Sequence, residues 1–158
     1  MAGLAVPIRT LSGISAFLDS VQVDDYGAQY GYLAGDRARE GTTAAGLLCR
    51  LYGGWTRGNP GIVNGAEQLD EWGPSSNNVY YDYYATQVMH HFQGPLWEKW
   101  NRMLRDFFVE QQEKEEHEAG SWFFADDFGS SMGGRLYITA MATLKPEQGP
   151  LRSDVRAH

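Results

Sequence analysis

Few residues of this 158-residue chain have the types and spacing that acid, metal or nucleophile chemistry requires. Asp82 stands alone among Tyr80, Tyr81, Tyr83 and Tyr84. A carboxyl group surrounded by phenol rings is a candidate buried acid, because loss of water favours its neutral form. An acid placed early in a helix to favour the dipole leaves the same trace in a sequence. The pairs Asp24-Asp25 and Asp126-Asp127 fall in loops, where adjacent carboxylates are expected to be solvated. Cys49, His90 and His91 are the soft metal ligands, with Asp82 as a companion carboxylate. The two histidines are adjacent and point to different sides of a helix, and Cys49 sits in an apolar helix where a buried structural cysteine is the default. No metal site is assigned. There is no Gly-rich phosphate loop, and no cofactor and no serine-hydrolase chemistry is implied.

The elements that must position these residues read as helices throughout. Ile14, Phe17, Leu18 and Val21 recur three and four apart, with Ser12 as an available cap. Thr42 and Thr43 lead into a second helix, Ala44 to Tyr52, which Gly53-Gly54 would stop. Asn59-Pro60 opens a third that ends at Gly73-Pro74. Asn77-Asn78 opens a fourth, 79–92, closed by Gly94-Pro95. Trp97, Trp100, Met103, Leu104, Phe107, Phe108 and Gln111 line one face of a fifth. A sixth runs from about Arg135 and should stop at Lys145-Pro146. No strand alternation competes, and the fold class is all-α.

Composition narrows the partners. A net charge of -7 with no Lys/Arg cluster argues against nucleic acid and against an anionic membrane surface. No apolar run approaches the roughly 20 residues of a membrane span, and residues 1–11 lack a basic lead into an apolar stretch. One cysteine cannot make an internal disulfide, which fits a reducing compartment. The chain is read as soluble and cytoplasmic.

The helices alternate between two kinds. Phe17 to Gln22 leads to Gly27-Ala28-Gln29-Tyr30, and Phe107 to Gln112 leads to Gly120-Ser121-Trp122. The second, fourth and sixth helices instead mix small residues and threonine with bulky ones, as in Thr43-Ala44-Ala45-Gly46, Ala85-Thr86 and Thr139-Ala140. Self-similarity of this kind marks a stacked helical array of about three helical hairpins over residues 1–144, followed by a polar tail, 145–158, read as disordered.

The Gln then Gly-x-Trp pattern resembles the QW repeat of squalene-hopene and oxidosqualene cyclases, with Tyr30 in place of Trp in the first copy. The tyrosine-rich stretch 79–91, with 94–101, 118–122 and 133–137, resembles the C-terminal part of prenyltransferase and squalene oxidase repeat proteins. The resemblance implies an α/α toroid segment in which Gln22, Tyr30, Gln112, Gly120 and Trp122 are scaffold. It implies a cavity ring made of the second, fourth and sixth helices, with Tyr80, Tyr81, Tyr83, Tyr84, Tyr137 and Met141 as lining candidates. Aromatic faces suit an isoprenoid chain and stabilise a carbocation, although aromatic residues at helical spacing also build plain cores. Cyclases of this type protonate an alkene from Asp-x-Asp-Asp, which is absent, leaving Asp82 as the single catalytic candidate. Three hairpins are fewer than a closed ring needs, so the chain reads as a C-terminal fragment, inactive by itself, of a terpene-cyclase-type parent. Its partners would be an isoprenoid, or further copies through exposed repeat ends. The alternative is a non-catalytic helical-repeat module that binds a protein or lipid.

Overall fold

The computed structural model describes residues 6–143. Its helices are α1 (Ile8–Val21), α2 (Glu40–Tyr52), α3 (Pro60–Trp72), α4 (Val79–Phe92), α5 (Gly94–Gln111) and α6 (Ser130–Thr143), with one 3₁₀ turn at Glu116–Glu118. Among the described residues the fold is all-helical, apart from an isolated antiparallel bridge between Gln22 and Tyr30. The expected stop at Lys145-Pro146 and the 145–158 tail lie outside the described residues.

The caps of α3 and α4 follow from local chemistry. The Asn59 side chain accepts the Gly61 N–H at 2.9 Å, and Asn78 accepts the Tyr81 N–H at 3.0 Å, each meeting one amide that a helix start leaves open. Elsewhere the boundaries move. α1 begins behind Pro7, so Ser12 lies inside it. Thr42 and Thr43 lie within α2, their hydroxyls turned to the Tyr30 backbone instead of capping. α4 does end at Phe92, where Gln93 at φ 64 and Gly94 at φ 74 reverse the chain, but Gly94 and Pro95 also form the first turn of α5. α6 begins at Ser130 and is broken at Gly134, φ 58, so the expected start at Arg135 marks only its second part.

The helices pack in two layers. α2, α4 and α6 touch one another in that order, while α3 lies against α2, α4 and α5. Trp55 meets Gly61, and Leu47 meets Gly65, which makes α2 and α3 an antiparallel hairpin. His90 meets Trp97, and the Trp100 indole donates to the Thr86 hydroxyl at 3.0 Å, which makes α4 and α5 another. α2 and α4 run the same way: Tyr80 lies over Gly41 at their starts, and Tyr52 bonds Gln87 and meets His91 edge-on near their ends. Leu47, Ile62, Leu69, Tyr81, Val88, Met89, Trp100 and Ile138 fill the core between the layers. α1 contributes only Leu18 and Val21.

Candidate functional site

Tyr80, Tyr83, Tyr84, Gln87 and His91 are spaced to form one stripe along α4, exposed at Tyr80 and His91 and half-buried between them, where Tyr84 packs against the core. Tyr80 and Tyr84 have ring centroids 4.7 Å apart, and Tyr83 meets Tyr84 edge-on at 5.0 Å. Burial first, then the Tyr80 and Tyr83 phenols and the Cys49 thiol, push the Tyr84 phenol up to about 12. Tyr137 of α6 stands near the same rings, its phenol raised by burial and then by Asp127 and Tyr84. Cys49 is exposed on α2, contrary to the default of a buried cysteine, because its position falls on the open side of the helix.

Tyr80 and Tyr137 also line a cavity of about 500 Å³ with Asn78, Asp127, Phe128 and Met132. A second groove, of about 550 Å³, runs between α1 and α2 past Leu11, Leu18, Cys49, Tyr52 and Trp55. Tyr81 lies apart from both. It is fully buried between Trp72 and Trp100, and its hydroxyl donates to the Gly73 carbonyl at 3.0 Å. Burial, then the charges of Asp82 and Glu40, raises its phenol far above the ordinary value. Met141 is half-buried and packs against the core.

Asp82 is fully buried on the core side of α4, where it accepts the Ser75 N–H at 2.8 Å. It lines neither cavity. Asp24 and Asp127 are not the solvated carboxylates that their loops imply. Asp24 accepts the amides of Tyr26, Ala28 and Gln29 and so folds the loop before Tyr30. Asp127 is buried and accepts the Val79 N–H at one oxygen and the Gly129 N–H at the other, both at 2.7 Å. It ties the loop before α6 to the first turn of α4, across 48 residues of sequence.

The QW-type residues sit at helix ends. The Gln22 amide donates to the Asp24 carbonyl at 2.6 Å, and the Gln112 amide donates to the Gly120 carbonyl at 3.0 Å. The Trp122 indole donates to the Phe108 carbonyl at 2.7 Å. The Tyr30 ring is buried against Gly46, where any Cβ would lie 2.6 Å from it, and its hydroxyl donates to the Gly27 carbonyl at 2.8 Å. Arg50, which nothing in the sequence marks, binds this unit together. Its guanidinium donates to the Tyr30 hydroxyl, to Ser15 and to Asp19, and lies 4.6 Å from the Trp55 ring centroid. Burial opposes its charge, yet the bonds to Tyr30 and Asp19 raise its pKa overall.

Among the described residues, no group of three or more His, Cys, Asp and Glu side chains could hold a metal ion. No helix among them is long and apolar enough to cross a membrane. Comparison with protein-family models, with curated proteins and with solved structures finds no match for this chain.

Proposed function

We propose that the chain is an arc of an α/α toroid of the squalene-cyclase type, whose α2, α4 and α6 face binds the hydrocarbon part of an isoprenoid. The observation that carries this reading is the group of phenol rings Tyr80, Tyr83 and Tyr84, with Tyr137 beside them, on the open side of three successively packed helices. Such rings offer broad apolar faces and a quadrupole that attracts positive charge. The absence of lysine and arginine from the stripe favours an uncharged chain over a diphosphate. The Thr43 hydroxyl bonds the Tyr30 backbone as the Thr139 hydroxyl bonds that of Trp122, and these matching ties support the repeat character that the toroid needs.

The reading covers binding in the cytoplasm and not turnover by this chain alone. Cyclisation, an isomerase reaction, would belong to an intact parent, because an acid that protonates an alkene must touch it and Asp82 faces the core. The second reading, a module for a protein or lipid partner, draws on Phe128, Met132 and Leu136, each more than four-fifths exposed. The same side chains fit self-association.

Titration of the purified chain with micellar squalene, followed by tyrosine fluorescence, tests the first reading. Saturable quenching that falls in Tyr80→Ala is expected. Equal, unsaturable uptake by both proteins would end it, and capture of a peptide ligand with squalene excluded would favour the second.

A further inference from the structure

We propose that the cavity between the start of α4 and the start of α6 binds a quaternary ammonium group, the trimethylammonium end of a choline-type molecule. Its walls include three aromatic rings, Tyr80, Phe128 and Tyr137, and the thioether of Met132. Tyr137 can lie close beside Asp127 because Gly129 and Gly133 leave room for its ring, where a Cβ at either position would collide with it. Rings arranged around a small cavity with a nearby negative charge are the recognised means of holding an alkylated ammonium ion.

The carboxylate decides the class of cation. Asp127 is 5% exposed, and each of its oxygens already accepts a backbone N–H, from Val79 and from Gly129. A calcium or magnesium ion would need several oxygen ligands around it, and besides the Tyr80 and Tyr137 hydroxyls the lining side chains supply only one carboxylate and one amide, each already accepting a backbone bond. A primary ammonium would need acceptors for its three N–H groups. A quaternary ammonium needs neither. It takes the through-space charge of Asp127 and the faces of the rings, and it carries no proton to satisfy. No lysine or arginine lines the cavity, so nothing already neutralises that charge, and an anionic ligand would be repelled. Phe128 is 83% exposed and Met132 is 82% exposed, which leaves both open to an incoming group.

The cavity shares Tyr80 and Tyr137 with the isoprenoid reading, but the inference does not rest on it, since Phe128, Met132 and Asp127 lie outside the tyrosine stripe. The test is isothermal titration of the full chain with choline chloride at constant ionic strength, with the neutral tert-butyl analogue of choline as control and no isoprenoid present. Saturable choline binding is expected, with the neutral analogue at least about ten-fold weaker. Phe128→Leu keeps the apolar bulk and removes the quadrupole; because the ring is exposed, the melting temperature should hold while choline binding weakens about five-fold. Equal affinity for choline and its neutral analogue would overturn the proposal. So would an unaltered affinity in Phe128→Leu, or no saturable heat up to about 50 mM choline, well beyond the millimolar range that a few kcal/mol supports.

Discussion

The Thr139 hydroxyl accepts the backbone N–H of Trp122 at 3.1 Å and donates to the carbonyl of the same residue at 3.2 Å. Thr43 makes the same pair of bonds to Tyr30, at 3.1 and 3.4 Å. One hydroxyl thus meets both backbone groups of the aromatic residue that ends each Gly/aromatic loop, where the chain cannot form its own ladder. Thr43→Val keeps the shape and leaves the amide of the buried Tyr30 unmet, which should cost about 1–3 kcal/mol. Thr139→Val, at a half-buried site, should cost less. Thermal unfolding of both variants checks the order, and two unshifted melting temperatures would refute the role.

Trp122→Ala should cost about 3 kcal/mol, the lower end for a large aromatic side chain, since the ring is only half-buried against Phe108. Trp122→Phe keeps much of the packing and loses the bond to the Phe108 carbonyl, so it should cost about 1 kcal/mol. Trp122 lines neither cavity, and choline and squalene binding should change no more than folding does. Denaturant unfolding of both variants separates packing from the hydrogen bond.

Base should unfold the protein through the phenols of the buried Tyr81 and the half-buried Tyr84. Tyr81 and Tyr84 have raised values in the fold, Tyr84 to about 12, whereas a tyrosine in the unfolded chain titrates near about 10. Below about pH 10 both states hold these protons, and their contribution to stability is complete. Above it the unfolded chain binds fewer protons, so stability falls as pH rises towards about 12. Phenolate absorbance should show Tyr81 and Tyr84 ionising together with loss of helical circular dichroism. A single smooth titration with the fold intact would contradict this.

Asp82→Ala should lower the melting temperature through loss of the bond to Ser75, costing about 1–3 kcal/mol at a fully buried site. Asp127→Asn can keep one acceptor but not both, so it should loosen either α4 or the loop before α6. Amide exchange at Val79 and Gly129 would report which, and unchanged protection at both would count against the tie.

Local signals were legible where the chemistry is local. Asn59-Pro60 and Asn78 set the starts of α3 and α4, and the apolar stripe of α5 gives its buried face through Trp100, Leu104 and Phe108. Tyr80 and Tyr137, on different helices, line one cavity. Thr42 and Thr43 place the expected start of α2 too late, at Ala44, because threonines before an apolar run look like a lead-in, while here both lie inside the helix and their hydroxyls answer a residue more than ten positions back. Arg50 and Asp127 left no local trace at all. Arg50 bonds residues 20, 31 and 35 positions away, and Asp127 bonds a helix start 48 positions away. Their burial depends on tertiary partners that no window of sequence contains.

The light anchoring of α1 sets a hierarchy of opening. Only Leu18 and Val21 are buried, both in its C-terminal half, and its polar ties to the body, through Arg50, reach Ser15 and Asp19. Amides in the first half of the helix can therefore exchange by a local opening far cheaper than global unfolding, whereas those around Leu47 and Val88 must await cooperative loss of both layers. A protease would meet α1 as a nearly independent unit on a structure that otherwise unfolds as one.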